Sequence, residues 1–575
     1  MLSLAAPRRV GDASEYVAMA GRLADLRPPT FSAADVAAFT AAWEGTGTGF
    51  ELQTRQLPPL QGRDARWDMP HMWLYPLLSV PFVWVARIAG ASDAWGLVGL
   101  NVGMVAALLW LAARRGAGPW TLTFFASPLA WWLDKPLADL PMACALGGAT
   151  LLWPHPMSIV VLGLAAAQNP AVSVVAVVFT VAAVVADPSR LRSRTWIAAV
   201  VLGVACACVA PAYYYWRLGR FSILTIWTTT AYWPPLAVFL YPLIDVNMGL
   251  LSRFPPGAVA LVAAMAGRER WRSAVALPAA LSALLLLLVL SQPPNQNHGG
   301  NPDFSRYLLW VWPLALPWLL AADNAPGRRA RAVGAALLAI GMTWSTVAFR
   351  PARPESYRYP TGLATWLWER HPAWTSPTIE AFAERTSHSE PGRVPTATAR
   401  CEKVLLHQAS WPVSCPPTID APEPCRAPAL FCYANRTRDG SYTFAVIGRE
   451  PVPTTSAHER TWPRPDATTA WVAQQVGRAR AGESDAAVAH LRAVFGLAWR
   501  QAWTADDGRL VIYARDVSQG GRLGLRHADR VHVTVSTPAG PVSEVRLTPA
   551  DAPSLVALPR GSHVLAVIRG EQGRR

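Results

Sequence analysis

Long apolar runs separated by short polar breaks dominate the first two thirds of the chain. They fall at Met72 to Gly90, Trp95 to Ala113, Pro119 to Leu133, Leu140 to Trp153, Met157 to Ala167, Ala171 to Ala186, Trp196 to Trp216, Leu250 to Ala266, Ala274 to Ser291, Tyr307 to Ala322 and Val333 to Phe349. Runs of this kind are candidate membrane-crossing helices, although several fall short of the ~20 residues that ~30 Å of hydrocarbon requires. Two helices precede them. Gly11 to Leu26 is amphipathic with Tyr16, Met19, Ala20 and Leu23 on one side, and Ser32 to Trp43 opens on Ser32 as an N-cap; both suit a membrane surface. Beyond Arg350 the pattern becomes that of a water-facing protein. Arg353 to Glu384 is partly helical, Arg385 to Pro465 is loop-rich and Thr468 to Trp503 is helical. Arg509 to Arg515, Arg530 to Ser536, Val542 to Leu547 and His563 to Arg569 alternate as strands.

The expected fold is therefore an α-helical polytopic membrane protein of about 10–11 apolar segments. Its C-terminal region is mixed α/β and ends in a small antiparallel β domain. Four divisions follow: residues 1–70 as an outer loop with amphipathic helices, 71–349 as the membrane module, 350–465 as a loop-rich region and 466–575 as a helix plus β domain.

Composition supports lipid as part of the solvent, since only 15% of residues are charged against about 25% in a soluble domain. The net charge of +15 comes without a basic helix or aromatic–basic repeat, which argues against nucleic acid. The arginines instead orient the helices. Arg114/Arg115, Arg190/Arg192/Arg194, Arg268/Arg270/Arg272 and Arg328/Arg329/Arg331 all fall on one side if Met72 to Gly90 does not cross. The positive-inside rule makes that side cytoplasmic. The N-terminal stretch, Asp134 to Asp139, Arg217 to Met248, Gln292 to Arg306 and the whole tail then lie outside. Predominance of Arg over Lys, with much Ala, suggests a high-GC bacterial genome, and the expected location is then a bacterial inner membrane. An outer N-terminus calls for a helix upstream of Arg8, direct insertion of the short N-terminus being the alternative.

Cys401, Cys415, Cys425 and Cys432 cluster in the tail. Two disulfides fit an oxidising outer location, with three pairings open; a zinc site is the rival, with no CxxC to favour it.

Outer-side polar groups comprise Asp12, Glu15, Asp68, His71, Asp134, Lys135, Asp139, Asp245, His298, Asp303 and Arg306. Charges beside membrane spans need a reason, and a cleft holding a lipid-linked substrate is one. Their order resembles that of the GT-C glycosyltransferases, the polytopic class that includes protein mannosyltransferases and aminoarabinose transferases. Gly11-Asp12-Ala13-Ser14-Glu15-Tyr16 looks like the acidic motif of the first outer loop, and His71-Met72-Trp73-Leu74-Tyr75-Pro76-Leu77-Leu78 is similar to the histidine or lysine plus proline–leucine segment. Asp134-Lys135-Pro136 and Asp139-Leu140-Pro141, after Ser127-Pro128, resemble the second acidic loop. Asp245 to Leu251, and Gly299-Gly300 through Ser305-Arg306-Tyr307, resemble later loops. The likeness covers about residues 8–349 and departs in the helix usually found before the acidic motif.

The resemblance implies transfer of a sugar, hexosyl or pentosyl, from a polyprenyl-phosphate donor to a glycan, lipid or protein acceptor on the outer face. Asp12 would be the base, with Glu15 its competitor. Asp139, competing with Asp134, would orient the acceptor or bind metal, a divalent ion on Asp12 and Asp139 being possible. Arg306 would contact the donor phosphate, with His71, Lys135, Tyr307 and Asp245 as further substrate contacts. Plainer roles exist for each: Asp12 as a helix cap, Arg306 as an interfacial anchor, Asp134 with Lys135 as an exposed ion pair, and Trp131-Trp132 and Trp310/Trp312 as interface belts. Asn435-Arg436-Thr437 fits the N-glycosylation pattern. A transporter or flippase of a lipid-linked glycan, or a non-catalytic scaffold with a partner-binding tail, are the alternative functions.

Overall fold

The computed structural model describes residues 7–44, 46, 49–50, 52, 60–62, 64, 66–223, 236–267, 271, 273–291, 299–325, 327–390, 392, 394–407, 410–412, 414–415, 421–422, 425 and 431–448, together with the strands between 499 and 570. The predicted helix Thr468 to Trp503 lies outside them except at its end, where Trp499–Thr504 is a strand and not a helix.

Helices dominate residues 7–390. Among the described residues, three are long and apolar enough to cross a membrane: Asp93–Arg114 with 22 residues, Arg194–Leu218 with 25, and Arg328–Ala348 with 21. At 1.5 Å per residue each exceeds ~30 Å. Shorter apolar helices accompany them at Leu74–Ile88, Asp139–Leu152, Met157–Gln168, Pro170–Ala186, Pro255–Met265 and Ala276–Leu290. Exposed side chains on these helices are apolar, among them Val85, Trp110, Val181, Val201, Val262 and Val347, which is the inverse of a water-soluble bundle.

Small residues let the helices touch. A Cβ on Gly163 would come within 2.3 Å of the Gly203 carbonyl oxygen, so these backbones approach as they do in small-residue membrane interfaces. At one end of the bundle, Asp323 accepts the Gly118, Trp120 and Thr121 amides. A distant carboxylate thus satisfies donors that a helix start leaves open.

The N-terminal helices are α1, Ala13–Ala24, and α2, Ala33–Trp43. Ser32 caps α2 in a reciprocal box with Asp35. The expectation of a surface location is corrected for α1, which is buried over most of its length and packs against α3, Leu74–Ile88. Its small residues Ala13, Ala18 and Ala20 permit that approach. Trp131, Trp132, Trp310 and Trp312 are likewise buried in the core and form no interface belt.

After Ala348 the chain forms helices Gly362–Arg370 and Ile379–Ser387, then a four-stranded antiparallel sheet. Its strands are β1 Thr396–Ala397, β2 Lys403–His407, β3 Phe431–Arg436 and β4 Tyr442–Gly448, in that order. This sheet corrects the loop-rich expectation. Trp368, Phe382, Leu405 and Tyr433 form its core with the helices. Disulfides Cys401–Cys415 and Cys425–Cys432 select one of the open pairings. Asn435 is buried and accepts from Lys403 Nζ at 2.7 Å, so it is no glycan acceptor in the folded chain.

Residues 456–575 form a second compact unit. Its strands are β5 Trp499–Thr504, β6 Leu510–Val517, β7 Gly521–Leu525, β8 Val531–Thr537, β9 Gly540–Leu547, β10 Ser554–Leu558 and β11 Gly561–Gly570. They make a five-stranded sheet in the order β5-β6-β11-β8-β9 and a β10-β7 pair, all antiparallel, as the alternating pattern predicts.

Candidate active site

Five of the charged groups picked out in the sequence meet in one place. Gly11 turns the chain at φ +45°, a conformation open to glycine, and delivers Asp12 to the start of α1. Asp12 does not cap that helix with its side chain; it reaches Arg306 instead, 3.1 Å from Nη1. Glu15, one turn on, receives Nδ1 of His71 at 2.8 Å, and His71 Nε2 lies 3.6 Å from Asp12 Oδ2.

Arg306 and Asp139 are each the first residue of a helix, Arg306–Val311 and Asp139–Leu152. An anion is favoured at such a start, and a cation needs compensation there. Compensation comes from pairing: Arg306 donates from Nε to Asp139 Oδ1 at 3.0 Å, and its Nη2 stands 3.0 Å from Oδ2. Nη1 also donates to the Gly299 carbonyl at 2.9 Å. Trp310, one helical turn after Arg306, donates Nε1 to Asp139 Oδ1 at 3.2 Å. The order is Glu15, His71, Asp12, Arg306, Asp139.

Accessibility is graded along this row. The side chains of Asp12 and His71 are 32% and 33% exposed, Arg306 11%, Glu15 9% and Asp139 1%. Asp12 and His71 are therefore the most accessible members of the row. Burial resists a charged imidazole, but Asp12 and Glu15 beside it prevail and lift His71 to about 9. Burial raises Glu15, with His71 opposing.

A metal between Asp12 and Asp139 does not fit, because the Arg306 guanidinium lies between them. Asp12, Glu15 and His71 fit better, their ligand atoms lying within 4.8 Å of one another. Two carboxylates and an imidazole suit a borderline divalent ion, which would supply Lewis acidity.

Except for Tyr307, which follows Arg306 in the same short helix, the other predicted residues described make contacts of their own. Asp134 and Lys135 are both 1% exposed and pair with each other; Lys135 also donates to the Pro351 carbonyl at 2.8 Å and lies over the Trp131 ring. Lys135 is neither a phosphate contact nor an exposed ion pair. Asp245 is buried and accepts the Asn247 and Met248 amides, closing its own turn. Asp68 pairs with Arg217 and Tyr213, and Asp303 with Arg353 and Arg385. Tyr307 packs edge-on against Trp310. His298 lies outside the described residues. Sequence reasoning missed the Gly299 carbonyl and Trp310; the latter was legible as the position four after Arg306.

Compared with protein-family models, curated proteins and solved structures, the chain matches none.

Proposed function

We propose that this chain is a polytopic membrane glycosyltransferase of the GT-C kind, moving a sugar from a polyprenyl-phosphate donor to an acceptor hydroxyl on the outer face of the cell membrane. The observation that carries the reading is the Asp12–Arg306–Asp139 row, built from three distant segments at the ends of apolar helices. The placement of polar contacts at two ends of the helices adds support. Asp323, beside the Arg114/Arg115 turn, binds one end of the bundle, while Arg8 reaches Ala352 beyond the last long helix at the other.

In this reading Asp12, the more open carboxylate, takes the proton of the acceptor hydroxyl as its oxygen bonds to the anomeric carbon. The carbon–oxygen bond to the phosphate breaks with its electron pair passing to the phosphate oxygen, beside the Arg306 guanidinium. Asp139 has no opening of its own and holds Arg306 by its Nε–Nη2 edge. Asp12 is preferred to Glu15 because Glu15 is buried behind His71, and Asp139 to Asp134 because Asp134 is sealed with Lys135.

The test is turnover of radiolabelled polyprenyl-phosphate sugars by the purified protein. Asp12→Asn is expected to lower turnover about 100- to 1,000-fold and Asp139→Asn about 10- to 100-fold. Turnover indifferent to both removes the site assignment. Absence of turnover with every donor, alongside movement of a lipid-linked glycan across vesicles, favours the transporter reading.

A further inference from the structure

The segment after the last long helix, residues 350–358, packs beside segments that carry the candidate active site. Groups from three of the segments bearing site charges bind it. The Ala352 carbonyl accepts from Arg8 Nη2 at 3.0 Å, the Pro351 carbonyl from Lys135 Nζ at 2.8 Å, and the Arg353 carbonyl from Trp131 Nε1 at 2.8 Å. Ser356 donates its amide to the Asn301 carbonyl at 3.2 Å.

At its centre is a clamp. Oε2 of Glu355 accepts the Gly11 amide at 3.2 Å and the Gly300 amide at 2.8 Å. Gly11 immediately precedes Asp12, and Gly300 follows the Gly299 carbonyl that Arg306 binds. The two loops also touch: a Cβ on Gly11 would stand 2.9 Å from the Gly299 oxygen.

We propose that Glu355 is a positioning residue, setting the distance between Asp12 and the loop that anchors Arg306. The role in turnover rests on the glycosyltransferase reading; the clamp itself does not. One oxygen bonded to both amides ties the two loops to a single point. A shift of about 1 Å at a reacting group costs on the order of 100-fold in rate. Reaching the site from residue 355 makes the start of the tail part of the catalytic module, and no longer a mere appendage to it.

Two readouts on the full chain test this, with Glu355→Ala and Glu355→Gln beside wild type. Gln keeps one oxygen able to accept both amides; Ala keeps none. Hydrogen exchange at the Gly11 and Gly300 amides should quicken at least about tenfold in the Ala variant and stay near wild type in the Gln variant. With the radiolabelled donors, the Ala variant should lose about 10- to 100-fold in kcat with donor KM little changed, and Gln should restore most of it. Unchanged exchange in the Ala variant, or equal losses in both variants, overturns the assignment. Wild type inert toward every donor sinks the glycosyltransfer reading, and the exchange result still decides the clamp.

Discussion

Asp134 stands in a short loop and Asp139 at the start of the helix that follows it, each bound to a cation, and the two pairs have opposite characters. Asp134 with Lys135 is closed from water on every side, locked by the Pro351 carbonyl and the Trp131 face. Asp139 is equally buried, but its partner Arg306 continues to Asp12, which is partly exposed. One pair is a structural pin; the other is the inner end of a charged row whose outer members are partly exposed. Similar residues in similar sequence settings thus divide by what lies beyond the cation.

Removing the cation of the sealed pair should give the largest effect. Lys135→Met leaves Asp134 without its nearest positive charge and should cost about 3–5 kcal/mol of stability, read by thermal unfolding in detergent. Asp134→Asn combined with Lys135→Met should recover most of it. A loss below about 1 kcal/mol would show that water reaches the pair and would break the contrast.

Arg306→Lys sharpens the other side. Lysine cannot fork onto both Asp139 oxygens while reaching Asp12, so donor turnover should fall on the order of 100-fold with little change in unfolding temperature. Parallel loss of stability and turnover would make Arg306 a pin like Lys135.

The effect that is smallest near neutral pH concerns a third buried cation, Lys403 in β2. Its Nζ binds the Pro372 carbonyl and Asn435 Oδ1, over the Tyr433 ring. Burial pushes it down to about 7. The unfolded chain, near 10.5, then holds the proton over a range in which the folded chain does not. Stability should therefore rise with pH from about 7 to about 10.5, by up to about 1.4 kcal/mol per pH unit, and be flat below 7. Lys403→Met should remove that slope, as calorimetry across the range would record.

Local features were legible where the cause is local. Ser32 with Asp35 makes a capping box from residues three apart, and the terminal strands follow an alternation visible within each run. The order of polar motifs also picked out all five members of the charged row. Burial was not legible. Nothing near Lys135 or Trp132 in the chain tells whether a neighbour covers it, and the amphipathic α1 reads the same on a membrane as in a core. The sheet β1–β4 was missed because β2 and β3 are separated by a long Pro-rich stretch and pair by tertiary register, Leu405 opposite Tyr433.

The residue pattern alone set which segments are apolar helices, where the chain turns toward water, and which charges are available to Asp12, Arg306 and their neighbours. Side-chain spacing and hydropathy act over a few residues, so those features carry their own cause. Tertiary packing decided the rest: that Arg306 bridges Asp12 and Asp139, that Lys135 is sealed, and that Glu355 returns from the tail to join Gly11 with Gly300. Those are meetings of residues separated by up to 344 positions. Their energies depend on distance and on exclusion of water, quantities that exist only once the helices have packed.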